Sequence, residues 1–233
     1  MRQVGRFWDR SSRVHLKICG VRNLDVAYSC YELGVDAIGL HAFGDPQAVL
    51  ACAEWTPLLP DEMSVFVLTA DEDPVRLLEL CRSLHCDTVQ LQGQKPLFQV
   101  RAIAAHLRSN GIATVKSVGL SPCEHPYQLT EYIRQISEHV DGVLFDSAWR
   151  GGTGCFVDLN TVEELMSFAD PAVVIVAGGI SAGNVGEVVR AVHPYAVDVE
   201  SSVEWVWLSQ GRRVTAKSVK KVEELVVALR QCC

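Results

Sequence analysis

Residues 173–202 read VVIVAGGISAGNVGEVVRAVHPYAVDVESS. The stretch opens on a short apolar run, Val173–Ala177, and breaks at Gly178-Gly179. A helical pattern follows over Asn184–Val192, and a second apolar run spans Ala196–Glu200. Such nearly continuous apolar runs are what strands buried on both faces require. The stretch is therefore one strand–turn–helix–strand step. Working outward, the same step recurs along the chain. Strands are expected at Val14–Cys19, Ala37–His41, Ser64–Leu68, Thr88–Gln92, Thr114–Gly119 and Gly142–Asp146, ahead of the two just quoted. Helices are expected at Leu24–Leu33, Pro46–Trp55, Pro74–Leu84, Leu97–Ser109, Tyr127–His139, Thr161–Phe168 and, after the last strand, Val219–Gln231. In Leu97–Leu107, for example, Val100, Ile103, Ala104 and Leu107 fall on one face at helical period.

Eight β-then-α units in one domain-sized chain point to an α/β fold of the single (β/α)8 barrel type. An open doubly wound sheet is the alternative that the pattern leaves. The 233 residues suit one such domain, since these barrels run to roughly 200–250 residues. Residues 15–233 are assigned to the barrel and residues 1–14, which carry Arg2, Arg6, Arg10 and Arg13, to an N-terminal extension that is disordered or caps the barrel. A transit peptide is the other reading of that segment.

The net charge of −7 argues against nucleic acid as a partner, because phosphate backbones call for a basic surface. No run approaches the roughly 20 apolar residues of a membrane helix. The nine cysteines have no framework spacing and are read as reduced, which places the chain in the cytoplasm. Trp205 and Trp207, beside the phosphate end, suit core, lid or contact surface, and the core assignment is preferred.

In barrels of this kind chemistry sits at the C-terminal ends of the strands. The polar residues there are Cys19, His41, Gln90, Gln92, Asp146, Asp198 and Glu200. Gly178-Gly179 after the seventh strand and Ser201-Ser202 after the eighth suit a phosphate, which small residues and a helix N-terminus can approach through backbone N–H groups. A thiol that becomes a thiolate can take a carbon-bound proton, and a carboxylic acid can give one to a leaving oxygen, so Cys19 and Asp146 are the candidate base and acid. The plain alternatives are a small buried Cys and a turn-forming Asp.

The succession KICG, GVDAIGL, VFV, VQLQG, LFDS, GGTG with the later Asp158, VAGGIS and VDVESSVE, from Lys17 to Glu204, resembles the phosphoribosylanthranilate isomerase family. The resemblance implies a (β/α)8 barrel without metal or organic cofactor. It also implies an Amadori rearrangement of a phosphorylated aminoaldose to an aminoketose in tryptophan biosynthesis. Cys19 would then be the base for the C2′ proton. Asp146 would protonate the furanose ring oxygen. Gly178, Gly179, Ser201 and Ser202 would hold the phosphate, and Gly152 and Gly154 would shape the loop after strand six. The expected partner is a small-molecule phosphosugar, bound by a monomer or homodimer.

Departures from the family pattern cluster at the substrate end. The family's Ser-Pro-Arg reads Asp45-Pro46-Gln47, and a neutral Gln47 cannot make the bidentate charged pair with a carboxylate. The family's QLHG reads Gln90-Leu91-Gln92-Gly93, and its Ser-Ser-Gly-Val-Glu reads Glu200-Ser201-Ser202-Val203-Glu204. Gln47, Gln92 and Asp198 are assigned to substrate binding, with His41 and Arg150 as cations that could replace the Arg. A paralogue acting on another amine, and a non-catalytic phosphosugar-binding protein, are the competing functions.

Overall fold

The computed structural model describes residues 6–9, 13–43, 49–120, 126–147, 156–209 and 211–232. Eight parallel strands close into a barrel in sequence order: β1 (His15–Cys19), β2 (Ala37–His41), β3 (Ser64–Thr69), β4 (Thr88–Leu91), β5 (Ala113–Gly119), β6 (Gly142–Asp146), β7 (Val173–Ala177) and β8 (Ala196–Val199). Closure is made by β1 pairing with β8, with Lys17 opposite Asp198 and Ile18 opposite Val199. That pairing replaces the open-sheet alternative. Every strand boundary falls within one residue of its expected place.

Seven α-helices lie wholly within the described residues and surround the strands: α1 (Leu24–Glu32), α2 (Pro74–Ser83), α3 (Leu97–Arg108), α4 (Pro126–Ser137), α5 (Leu159–Met166), α6 (Val185–Val192) and α7 (Val219–Arg230). Several begin on a side chain that satisfies the otherwise unpaired first N–H groups. Asn23 accepts from Val26 N, Asp73 from Val75 N and Arg76 N, Asp158 from Asn160 N, and Ser218 from Lys221 N. Between β2 and β3 one helix is expected over Pro46–Trp55; Pro46–Ala48 lie outside the described residues, and Val49 and Leu50 are helical. From Ala51 the chain tightens into two 3-10 turns, Ala51–Glu54 and Thr56–Leu58. Pro57 supplies no N–H to continue a helix and disfavours the helical conformation at the residue before it. The Thr56 hydroxyl donates to the Cys52 carbonyl across that break.

Two shells of apolar side chains follow from the strand alternation. One lies between strands and helices and includes Ile18, Ile38, Val65, Val67, Val89, Val143 and Val176. The other fills the barrel itself and includes Cys19, Ala37, Phe66, Leu68, Val115, Leu144, Ile175 and Ala196. The N-terminal segment joins this inner shell. Phe7 is fully buried and packs its ring against Trp8, His15, Phe66 and Tyr195. Trp8 Nε1 donates to Thr88 Oγ1 (3.0 Å) and the Tyr195 hydroxyl donates to the Phe7 carbonyl. His15 and Thr88 open their strands and Tyr195 immediately precedes β8, so these aromatic rings seal the N-terminal end of the barrel.

A two-stranded antiparallel ribbon, β9 (Glu204–Ser209) with β10 (Arg212–Lys217), stands apart from the barrel. The sequence reading has no counterpart for it. It also corrects the core assignment of Trp205 and Trp207, which are 58% and 46% exposed. The ribbon pairs only with itself. Trp205 is partly covered by the Lys221 ammonium, 4.7 Å from its ring centroid.

Candidate functional site

Alternation along the strands turns residues two apart toward the same side. In β1 that places Lys17 and Cys19 together, and in β2 it places Ala37, Gly39 and His41 together. Cys19 and Ala37 belong to the inner shell, so Cys19 and His41 reach the mouth at the C-terminal end. By the same parity Leu144 is followed inward by Asp146, and Ala196 by Asp198 and then Glu200.

Lys17 and Asp198 form an ion pair inside the barrel. Lys17 Nζ donates to Asp198 Oδ2 at 2.8 Å, with 0% and 8% of the two side chains exposed. The ammonium also lies 5.3 Å from the centroid of Phe66. Among the described residues Asp198 Oδ1 is buried without a hydrogen-bond partner, although buried polar atoms are nearly always paired.

Above this pair, Cys19 Sγ is 3.4 Å from His41 Nε2, and the same nitrogen is 3.4 Å from Glu200 Oε2. Cys19 is 2% exposed. Burial pushes its thiol well above the usual range; Lys17 and Lys217 oppose that shift, while Asp198 and Glu200 reinforce it. Burial also acts against the Glu200 carboxylate. The groups that face it, His41 first, then Lys217 and Lys17, outweigh it and hold the carboxyl at about 2. The Phe43 ring stacks on His41, centroids 4.8 Å apart. Gly39 is needed beside them, because a Cβ there would stand 2.9 Å from Cys19 Sγ and 3.2 Å from Lys17 Nζ. On the far side of Glu200, Lys217 Nζ donates to the Glu200 carbonyl (2.9 Å) and to Glu204 Oε1 (2.8 Å).

Asp146 ends β6, with β7 and β8 between it and β1 around the ring. It is partly exposed. Ser147 Oγ lies 3.4 Å from its Oδ1, and its carbonyl accepts from Leu120 N. Gly178 and Gly179 both have positive φ, +99° and +63°. A Cβ on Gly178 would meet Ser147 atoms at 2.5–2.8 Å, so this turn lies directly against the end of β6. Asn184 braces the turn, accepting from Ser181 N and donating to the Gly179 carbonyl. Ser202 Oγ donates to the Ile180 carbonyl (2.6 Å), which ties the loops after β7 and β8 together. Ser201 opens the 3-10 turn Ser201–Val203. Gln90 is buried and its Oε1 is unpartnered among the described residues, whereas Gln92 is partly exposed just beyond β4. Gln47, Arg150, Gly152 and Gly154 lie outside the described residues.

The structure therefore gathers Cys19, His41 and Asp198 with Glu200 on the β8–β1–β2 side. It joins Asp146, Gly178, Gly179 and Ser202 on the β6–β7–β8 side. His41, a possible cation for a substrate carboxylate, has its Nε2 already engaged by Cys19 and Glu200. Lys17 and Lys217 were not singled out from sequence. Inward parity, two residues before Cys19, marks Lys17; nothing local marks Lys217, whose partners lie 13 and 17 residues away.

The sequence matches the family described as N-(5′-phosphoribosyl)anthranilate (PRA) isomerase over residues 16–224. A protein of Halorhodospira halophila named N-(5′-phosphoribosyl)anthranilate isomerase is 36% identical over 199 residues, covering 82% of this chain and 88% of its own length. One of the same name from Moorella thermoacetica is 30% identical and covers 91% and 92%. The crystal structure of phosphoribosyl anthranilate isomerase from Thermus thermophilus superimposes with a TM-score of 0.74 at 25% identity, covering 94% of this chain and all of that one.

Proposed function

Because the chain belongs to the N-(5′-phosphoribosyl)anthranilate isomerase family, we propose that it carries out that family's Amadori rearrangement at the mouth just described, with Cys19 as base and Asp146 as acid. The observation that carries the assignment is the contact between Cys19 Sγ and His41 Nε2. A buried thiol is a poor base until it loses its proton, and His41 stands where it can take that proton. The nearby Glu200 carboxylate stabilises the imidazolium that results.

The steps follow from this placement. Asp146 protonates the furanose ring oxygen and the ring opens to a Schiff base. Cys19, as thiolate, removes the proton from C2′. The enolamine then gives the aminoketose. The partly exposed end of β6 lets Asp146 regain its proton from solvent. Asp198 Oδ1, buried and without a partner among the described residues, accepts from a sugar hydroxyl or from the amine. Gly178, Gly179, Ser201 and Ser202 hold the phosphate, a role supported by the Ser202–Ile180 hydrogen bond that brings their loops together. Gln92, Gln47 and Arg150 belong to substrate binding, and Gly152 and Gly154 to the loop after strand six.

The chain works in the cytoplasm, as a monomer or homodimer. Nine cysteines without framework spacing support a reducing compartment. No helix among the described residues is long and apolar enough to cross a membrane.

The test is turnover of freshly prepared phosphoribosylanthranilate by the wild type, Cys19→Ser and Asp146→Asn. The wild type turns over, and each variant loses about 10²–10⁴-fold, the usual worth of a positioned acid or base. An inactive wild type, or a Cys19→Ser variant within threefold of it, overturns the assignment.

A further inference from the structure

Cys19 Sγ, His41 Nε2 and a Glu200 carboxylate oxygen all lie within 4.8 Å of one another. They come from three adjacent positions around the ring, the ends of β8, β1 and β2. Two edges of the triangle are 3.4 Å each, sulfur to nitrogen and nitrogen to oxygen. Zinc binds thiolate at about 2.3 Å, and imidazole and carboxylate at about 2.0–2.2 Å, in a tetrahedron. Those lengths separate sulfur from nitrogen by about 3.6 Å and nitrogen from oxygen by about 3.4 Å. Two edges of the triangle thus already match those of a zinc tetrahedron, and the third, sulfur to oxygen, lies within 4.8 Å.

The surroundings agree with that use. Gly20 and Gly39 leave the ligands room to converge, since a Cβ at either would stand 2.9 Å from Glu200 Oε1 or Cys19 Sγ. A thiolate and a carboxylate supply two negative charges to a dication. One sulfur, one imidazole nitrogen and one oxygen suit zinc or cobalt rather than magnesium or calcium, which favour oxygen alone. His41 and Glu200 are 24% and 34% exposed, so an ion reaches the three donors from solvent at the mouth.

We propose that Cys19, His41 and Glu200 bind a single Zn²⁺ ion, and that the ion switches the site off. Binding exchanges the thiol proton for the metal: the S–H bond is lost, a sulfur–zinc bond forms, and the proton passes to solvent. The sulfur lone pair needed for a carbon-bound proton is then committed to zinc. Inhibition rests on the isomerase assignment, whereas metal binding does not, and the two are measured separately.

The experiment titrates the whole, chelator-treated chain with Co²⁺ under reducing, anaerobic conditions. Expected are a thiolate-to-cobalt charge-transfer band in the near ultraviolet and strong tetrahedral d–d bands in the visible, saturating at one equivalent and displaced by Zn²⁺. Losing even an outer partner of a metal ligand costs about 10–100-fold in affinity. His41→Ala and Glu200→Gln should therefore each weaken Co²⁺ by at least about 10-fold, and Cys19→Ser should abolish the charge-transfer band. Circular dichroism confirms that each variant is folded. Absence of the band, or a band unchanged in His41→Ala and Glu200→Gln, overturns the site. With the band present, turnover that persists at saturating Zn²⁺ overturns the switch, and turnover restored by a chelator supports it.

Discussion

Replacing Lys17 by Met tests whether the barrel interior depends on its buried ion pair. The ammonium and the Asp198 carboxylate are 2.8 Å apart and 0% and 8% exposed. At an effective dielectric constant of about 20 their attraction is about 6 kcal/mol, but most of that offsets the cost of taking two charges out of water. Removing one partner leaves the other charge uncompensated, at a typical cost of about 3–5 kcal/mol. Asp198 is badly placed to absorb the loss, because its second oxygen already has no partner among the described residues. Met keeps the unbranched length and the contact with Phe66. For a barrel of this size each kcal/mol moves the melting temperature by about 2–4 °C, so a drop of about 6–20 °C is expected. Urea unfolding and calorimetry on Lys17→Met, Asp198→Asn and the double variant provide the measurement. The double variant buries no unpaired charge and should recover most of the loss. A cost below about 1 kcal/mol for Lys17→Met, or a double variant as unstable as the sum of the singles, would refute the reasoning.

Other consequences can be measured alongside. Phe7→Ala removes a fully buried ring from the barrel floor and should cost about 3–5 kcal/mol in urea unfolding. Gly178→Ala places a Cβ at a φ of +99° within 2.5 Å of Ser147. It should destabilise by about 1–3 kcal/mol and lower kcat for phosphoribosylanthranilate by displacing the end of β6; an unchanged kcat would separate that turn from Asp146. Burial, with Lys95 nearby, pushes the Lys116 amine down to about 7. Between that value and its ordinary 10.5 the unfolded chain binds the extra proton, so the folded state gains stability as pH rises. Wild type should gain about 2 kcal/mol over Lys116→Met between pH 7 and 9, measured as the difference between their urea curves; parallel curves would contradict this.

Much of the fold was legible because the eight strands are buried on both faces and so carry dense apolar runs. The second expected helix passes from Val49 and Leu50 into tighter 3-10 turns, ahead of Pro57, which cannot continue the hydrogen-bond ladder. The β9–β10 ribbon was missed because its tryptophans resemble core residues while standing in solvent. At the site, Cys19 and Asp146 could be named from their strand ends. The pairing of Cys19 with His41 and Glu200 could not, since it depends on the register that sets β1 between β8 and β2. The same holds for Lys17 and Asp198, 181 residues apart in sequence. Glu200 was visible as a polar residue at a strand end and as a departure from the family pattern, but not as the partner of His41.

The side chains that fill the barrel, Phe66, Val115, Leu144 and Ile175 among them, also govern traffic. A barrel packed solid has no passage through it, so substrate enters and product leaves through one doorway. Product must clear the mouth before the next molecule can settle, and whatever lodges there obstructs arrival and departure alike. The Cys19–His41–Glu200 cluster stands in that doorway.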